Sequence, residues 1–478
     1  MLDAKLQSEE FKFYFFFFLA LTFLFAMVMP FSYSDLAIWI AEGRQIMRQG
    51  TVYIHDAYSF NQTEALPYPW LSSLFYYFFE ANFVIESIFL FHRVIPVGIV
   101  AFWLLRYPHL LHKRNWLPLV ISISGLSMLI VDRPALLVLP LIPIAFEWID
   151  NDKIYKHKFK ILGLLILWTN LHGSFLLFLA LLAYRIFWQA LKSRSFAHLN
   201  DRFAFFAACV VATLINPWGV KIYSYVLQTA LISKLRVTEW QPLSFFEKGE
   251  ISFEMLFFLM TVFLVVFFAF KKKKTGTLLT SSFFIFLVSA FAAVRSLPLL
   301  FSVLPLYWGK HLADASSVIG FAVKPSVKQV FCNRAITTTL VLFALFMFSS
   351  YSENYRKDLP NRYAQRYDYT STFRIADYLN QSSGKRVFNS WLLGSFLIYS
   401  QPNQIFIDTR NIIYSDATYT DYVHMMNNIN GQSEALLNQH RIDYVVSEKA
   451  KALASTLKAS QNWTFIMEDN GYALFERK

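Results

Sequence analysis

The chain is short of charge. Only 16% of its 478 residues are Asp, Glu, Lys or Arg, against about 25% in an average soluble domain. A soluble protein of this size with so little charge would leave large apolar patches in water, so a wholly water-soluble fold is excluded. Cysteine is scarce as well. Cys209 and Cys332 offer neither a metal-ligand spacing nor a disulfide framework. Internal repeats are missing, and no small-residue cleavage site follows the first apolar block, which therefore reads as a retained span. What is abundant is apolar residue, 56% of the chain with 51 Phe, and it falls in blocks. Lipid solvates such an outer surface, which makes a polytopic α-helical membrane protein the expected class.

The blocks run approximately over 12–31, 86–105, 116–131, 134–149, 161–171, 174–191, 203–217, 253–270, 276–293, 297–309 and 335–350. They predict about eleven spans. Residues 70–85 are also apolar, and the sequence leaves open whether they cross. The formal net charge of +12 would suit a nucleic-acid partner in a soluble protein. Here the basic residues collect in five short connections, Arg106–Arg114, Lys153–Lys160, Lys192–Arg202, Lys271–Lys274 and Lys310–Arg334. Cytoplasmic loops of membrane proteins have this bias, so a lipid bilayer rather than nucleic acid accounts for the charge. With eleven spans all five fall on one side if the N-terminus is inside and residues 70–85 do not cross. The expected location is then a cytoplasmic (inner) membrane, crossed many times.

Two regions follow. Residues 1–350 form the transmembrane part with outer loops 32–69 and 216–252, and residues 351–478 form a small α/β domain outside the cytoplasm. In the latter, strands are expected at Arg386–Phe388, Ile405–Ile407, Ile442–Val446, Trp463–Met467 and Tyr472–Phe475, the last two joined across Asn470-Gly471. Helices are expected over Thr370–Gln381 and near 416–428 and 448–458. Alternation of this kind argues for an α/β fold.

The unusual polar residues collect on the expected outer side. Ser34 is a plausible cap for an amphipathic helix with Leu36, Trp39, Ile40, Gly43, Ile46 and Met47 on one face and Asp35, Glu42, Gln45 and Gln49 on the other. Asp35 reads either as a functional carboxylate or as one merely favoured by a helix N-terminus. The adjacent pair His55-Asp56 leaves a divalent metal ion open without defining a site. Asp132-Arg133 reads as an ion pair at helix ends or as part of a site, and His172 as a structural hydrogen-bonder or a site residue. Glu239 and Arg295 complete the set. Ionisable residues at membrane depth are functional candidates. Carboxylates and cations on one face suit a substrate with a lipid tail and a phosphate, held by Arg133 or Arg295, with a carboxylate as general base.

Several of these segments resemble the C-type glycosyltransferase superfamily of bacterial membrane proteins. They are SDLAIWIAEGRQIMRQGTVYIHDAYSF with PWLSSLFYYF, DRP, WTNLHGSFLLFLALL, INPWGVKIYSY with TEWQPLSF, and RVFNSWLLGSFLIYSQPNQIFIDTRNIIY. The resemblance covers nearly the full length. It implies a GT-C-like fold, a polyprenyl-phosphate-linked sugar donor and hexosyl or pentosyl transfer to an acceptor on the outer face. An aspartate in the first outer loop is catalytic or metal-binding in that superfamily, and Asp35 occupies its place. Relatives that act on proteins or aminoarabinose often have Asp-Glu there, where this chain has Asp35-Leu36. The resemblance thus implies Asp35 as catalytic base, and the polar residues read above give Glu42, Arg133, His172, Glu239 and Arg295 as the expected substrate-binding residues. Asn389-Ser390-Trp391-Leu392-Leu393-Gly394 is similar to the Trp-Trp-Asp-Tyr-Gly region of oligosaccharyltransferases but lacks its aspartate, so sequon recognition is not implied. Asp408-Thr409-Arg410 is expected either to pair internally or to reach the membrane site. The alternative from another class is a non-catalytic transporter of lipid-linked sugar or an envelope-assembly protein, which would show paired broken helices near the bilayer midplane.

Overall fold

The structure is a computed structural model that describes residues 2–28, 35–52, 58–61, 66, 68–83, 86–112, 115–128, 131–192, 197–244, 246–247, 250–251, 253–313 and 372–478. Its first part is mostly helical. In chain order the helices are α1 (Leu2–Val28), α2 (Leu36–Gln49), α3 (Trp70–Asn82), α4 (Glu86–Arg106), α5 (Trp116–Met128), α6 (Ala135–Val138), α7 (Leu141–Asp150), α8 (Lys158–Leu171), α9 (Phe175–Lys192), α10 (Ala197–Thr213), α11 (Lys221–Arg236), α12 (Phe253–Lys271), α13 (Thr275–Thr280), α14 (Phe283–Ala292) and α15 (Leu297–Tyr307). A short hairpin, β1 (Phe246–Glu247) and β2 (Glu250–Ile251), precedes α12.

The expected apolar blocks are mostly helical where they are described; the block 203–217 ends its helix at Thr213, and the last, 335–350, lies outside the described residues. Two blocks are broken. Pro140 has no N–H to donate, and the block 134–149 divides there into α6 and α7. The block 276–293 divides at Ser281, whose Oγ accepts from the Phe283 N–H at 3.2 Å and lies 2.8 Å from an Asp150 carboxylate oxygen. Among the described residues, Ser87–Arg106, Phe175–Lys192 and Glu254–Lys271 are long and apolar enough to cross a membrane. Residues 70–85 contain the 13-residue α3. At about 1.5 Å per residue it is shorter than a straight span. α15 runs through the middle of the bundle against α5, α7 and α14, and its Leu300, Phe301, Val303, Leu304 and Leu306 are inaccessible to solvent.

Described residues of the connections Arg106–Arg114, Lys153–Lys160 and Lys310–Arg334 meet at one end of the bundle. Arg106 pairs with Glu147 at 2.5 Å, Arg185 with Asp152 at 2.9 Å and Lys310 with Asp150 at 2.7 Å. His109 Nε2 lies 2.8 Å from the Gly309 carbonyl.

Residues 372–478 form the expected α/β domain. Its mixed sheet has the order β4-β3-β5-β7-β6, with β3 (Arg386–Asn389), β4 (Gln404–Ile405), β5 (Tyr444–Glu448), β6 (Trp463–Asp469) and β7 (Tyr472–Arg477). β4, β3 and β5 are parallel, and β5, β7 and β6 antiparallel. Asn470 and Gly471 turn the last hairpin with φ of 46° and 81°, the left-handed values an Asn-Gly turn supplies. Ile405–Ile407 was expected to be a longer strand than β4, which stops at Ile405. Helices at Gly394–Ser400 and Ser433–Gln439 join the expected ones at Phe373–Leu379, Asp416–Asn427 and Ala452–Ala459.

The domain does not stand apart from the helices. Leu36, Ala37, Ile40 and Phe89 share one buried cluster with Ile375, Leu379, Val387, Phe396 and Leu397. The first outer loop also covers the sheet edge: the Ile405 N–H donates to the Tyr58 carbonyl at 2.8 Å, and the Phe60 N–H to the Ile405 carbonyl at 3.4 Å. This corrects the expected place of α2. It does not lie open at an interface but is clamped between α3 and the helix Gly394–Ser400, and its Glu42, on the expected polar face, is buried. Met47, on the expected apolar face, is 60% exposed. The reason is tertiary: the α/β domain packs on Leu36 and Ile40 and its Arg410 also reaches Glu42, while Gln49 stays exposed.

Candidate functional site

Asp35 immediately precedes α2, and its side chain makes no capping hydrogen bond. Its carboxylate instead lies 3.5 Å from Arg133 Nε. The other edge of the Arg133 guanidinium meets Glu239 in a fork, Nη1 to Oε1 at 2.5 Å and Nη2 to Oε2 at 3.2 Å. Arg295 lies 3.7 Å from the same Glu239 oxygen and stacks over Trp240, 4.0 Å from the ring centroid. Two carboxylates and two guanidiniums from four separate segments thus form one chain of charge at the end opposite those three basic connections.

Arg133 is set in place by its neighbour. Asp132 turns the other way, into the bundle, and accepts from Arg93 at 2.9 and 3.0 Å. His92 Nδ1 is 2.9 Å from Asp132, and its Nε2 is 3.1 Å from the Tyr76 hydroxyl. With its proton on Nδ1, His92 donates to the carboxylate and accepts from the tyrosine. All four side chains are buried. Asp132 and Arg133 therefore do not pair with each other, which answers the simplest reading of their adjacency. His92 and Arg93 were not singled out from the sequence. The available signal was two ionisable residues inside an apolar block.

His172 caps the C-terminus of α8, where its backbone N–H donates to the Trp168 carbonyl at 2.9 Å. Its Nδ1 accepts from the Ser174 N–H at 3.1 Å and lies 2.9 Å from Ser174 Oγ, which accepts from Trp168 Nε1 at 2.9 Å. An accepting Nδ1 places the proton of the neutral ring on Nε2. Burial, followed by the charges of Arg295 and Arg133, pulls the His172 pKa down to about 3, so the ring is a neutral donor at ordinary pH. Burial works against the charge of Glu239, but Arg133 and Arg295 outweigh it and hold its carboxyl below the ordinary range. Burial, reinforced by Arg133, lowers Arg295 to about 10, opposed by Glu239 and Asp35.

The segments that carry the sequence resemblance come together around this cluster. The Tyr68 hydroxyl donates to the Thr169 carbonyl at 3.0 Å, Trp70 Nε1 to Asn170 Oδ1 at 2.8 Å and Ser72 Oγ to the Leu171 carbonyl at 2.6 Å. Asn170 Nδ2 donates to the Ile215 carbonyl at 2.9 Å, and Tyr68 packs edge-on against Trp218 and Tyr225.

Glu42 joins a different network. Its Oε1 lies 3.4 Å from Arg410 Nη1. Arg410 in turn grips Asp408 at 3.0 and 2.7 Å, and Asp408 accepts from the Tyr414 hydroxyl at 2.6 Å. Asp408 and Arg410 therefore pair internally, and Arg410 also reaches Glu42 on α2 rather than the Asp35 cluster. His55 and Asp56 lie outside the described residues. Among the described residues no group of three or more His, Cys, Asp or Glu is placed to hold a metal ion. Asp35 and Glu239 both face the one Arg133 guanidinium.

No protein-family model matches the chain, and no curated protein matches it. Solved structures similar to it include the apo oligosaccharyltransferase of Archaeoglobus fulgidus, at 11% identity and a TM-score of 0.42 over 90% of this chain and 69% of that one. The Archaeoglobus fulgidus oligosaccharyltransferase AglB in complex with an inhibitory peptide and a dolichol-phosphate is similar at 10% identity and 0.44, over 98% and 74%. The same values hold for that enzyme tethered with an acceptor peptide containing the NVT sequon.

Proposed function

We propose that the chain transfers a glycosyl group from a polyprenyl-phosphate-linked sugar to an acceptor hydroxyl on the outer face of the membrane. The observation that carries this reading is the Arg133 guanidinium shared between Asp35 and Glu239, with Arg295 beside it, at the end of an apolar bundle. Guanidinium forks of this kind bind carboxylate and phosphate alike. Entry of a lipid phosphate exchanges Glu239 for phosphate oxygen on Arg133 or Arg295, while the lipid tail lies along the apolar helices. Asp35, now facing the sugar, takes the proton of the acceptor hydroxyl. The acceptor oxygen forms its bond to the anomeric carbon as the bond to the phosphate oxygen breaks, and the lipid phosphate leaves with that electron pair. Attack from the face opposite the leaving group inverts the anomeric centre. The neutral His172 ring donates from Nε2, and the two arginines meet the charge that develops on the leaving phosphate.

Asp35→Asn tests this. A base acting on a hydroxyl contributes roughly 10²–10⁴-fold in rate. Transfer of sugar from a polyprenyl-phosphate donor should fall by about a hundredfold or more. Thermal stability should hardly change, because a partly open ion pair at 3.5 Å contributes under about 1 kcal/mol. Met47→Ala, on the same helix but exposed, is the control. Wild-type transfer by Asp35→Asn, with the Met47→Ala control intact, would overturn the assignment.

A further inference from the structure

A second polar site lies further along α2. A cavity of about 560 Å³ opens between the C-terminal half of α2 and the α/β domain, lined among others by Arg44, Arg48, Gln49, Tyr58, Tyr399 and Gln401. Its walls are held firmly. Arg44 pairs with Glu80 at 3.1 Å and lies over the Tyr399 ring at 5.3 Å. The Tyr58 hydroxyl donates to the Ala41 carbonyl at 2.8 Å. Gln401 and Asn403 brace the far side, with Gln401 Nε2 donating to the Asn403 carbonyl at 2.9 Å. One cation remains over: Arg44 is matched by Glu80, whereas Arg48, exposed on the next turn, has no ion pair among the described residues.

We infer that this cleft between α2 and the α/β domain binds an acidic oligosaccharide through Arg48 and the exposed amide of Gln49, with the Tyr58 and Tyr399 rings in its wall. Side-chain amides offer a donor and an acceptor to each sugar hydroxyl. Aromatic rings give a flat face for the C–H side of a pyranose, and a guanidinium grips a sugar carboxylate in a charge-assisted fork. The volume lies within the roughly 300–1,000 Å³ of small-molecule sites. The cleft is also in register with the proposed catalytic carboxylate. Arg44 is nine positions beyond Asp35 on one helix, about 14 Å at 1.5 Å per residue. A short oligosaccharide seated there runs along α2 towards Asp35, which makes it the acceptor; this last step rests on the function proposed above, whereas the binding site does not.

The test uses the full chain in lipid nanodiscs, titrated calorimetrically with trigalacturonic acid, maltotriose and inorganic phosphate. Trigalacturonic acid should bind, and Arg48→Ala, at an exposed position that folding does not need, should weaken it by about tenfold. Maltotriose and phosphate should each bind far less. No binding of trigalacturonic acid, or binding that Arg48→Ala and Gln49→Ala leave unchanged, overturns the site. Equal binding of maltotriose overturns the role of charge, and equal binding of phosphate overturns the saccharide. The same titration with Asp35→Asn separates the two proposals. Arg48-dependent binding together with wild-type transfer by Asp35→Asn removes the catalytic reading and leaves the site. Loss of transfer in Asp35→Asn without any trigalacturonic acid binding removes the site and leaves the catalytic reading.

Discussion

The two ends of the helical bundle use the same ionic chemistry in different ways. At the end where three of the basic connections meet, each acid is matched close by: Glu147 with Arg106, Asp150 with Lys310, Asp152 with Arg185. These pairs tie helix ends to one another. At the opposite end the charges run in a relay across distant segments, Asp35 to Arg133 to Glu239 to Arg295, and Glu42 to Arg410 to Asp408. There one guanidinium serves two carboxylates, Arg133 between Asp35 and Glu239 and Arg410 between Glu42 and Asp408. A staple holds a fold without help, whereas a relay can exchange one of its members for a ligand of like charge.

The most drastic way to break this comparison is to place both ends on the same side of a membrane. With Cys209 and Cys332 replaced by alanine, a cysteine at Lys272 should stay unreactive in intact cells to an impermeant thiol reagent. One at Thr420, exposed on the α/β domain, should react fully. The reverse pattern would move the relay to the inside and remove the proposed chemistry from the outer face.

The next largest effect concerns the buried foundation of the relay. Asp132→Asn leaves Arg93 without its counter-charge in a site closed to water. Breaking such a pair from one side costs about 3–5 kcal/mol. Thermal unfolding in detergent should show a loss of that order, much larger than for Glu239→Gln in the partly open relay. Equal losses would mean that the two networks do not differ as described.

Close packing carries the third. A Cβ on Gly43 would lie 2.1 Å from the Ser73 carbonyl oxygen, on the backbone of α3. Gly43→Ala must push α2 away from α3 at a cost of about 1–3 kcal/mol. Because α2 carries Asp35 at its start, sugar transfer should fall together with stability. A variant that keeps both would show that α2 is not held by this contact.

What the sequence shows and what it hides divide along range. The apolar blocks, the proline break and the Asn470-Gly471 hairpin are written in neighbouring residues, and a local pattern suffices to find them. Asp132 finds Arg93 at a separation of 39 residues, Arg133 finds Glu239 at 106 and Arg410 finds Glu42 at 368. No local pattern encodes such partners. Adjacency even misleads, since Asp132 and Arg133 look like a pair and are not. The burial of Glu42 is hidden for the same reason: α2 has the period of a helix half in water, and only the α/β domain, through Arg410, shows what meets that carboxylate. Gly394 is a related case. It starts a helix where a glycine reads as a turn, because a Cβ there would meet the Ile407 carbonyl oxygen at 2.2 Å.

The smallest predicted effect concerns His172 and sharpens the electrostatic side of the comparison. Burial, then Arg295 and Arg133, bring its folded pKa to about 3. In the unfolded chain the imidazole takes up a proton below about pH 6.5. The unfolded state therefore binds more protons than the folded one between these two values, and stability falls as the pH is lowered through that interval. The contribution of the neutral ring is complete above pH 6.5 and drains away below it. Its slope cannot exceed about 1.4 kcal/mol per pH unit, and the partial solvent access of His172 makes it smaller. Glu239 has a depressed pKa and loses its own contribution only at lower pH, below the ordinary glutamate value of about 4.3. The window from pH 7 to pH 5 thus isolates the histidine. His172→Gln keeps a hydrogen-bonding side chain but has no proton to take up. Across that window the stability advantage of the wild type over this variant should shrink by roughly 1 kcal/mol. Parallel unfolding curves for the two at pH 7 and pH 5 would show that His172 titrates normally, and that Arg133 and Arg295 do not surround it with positive potential.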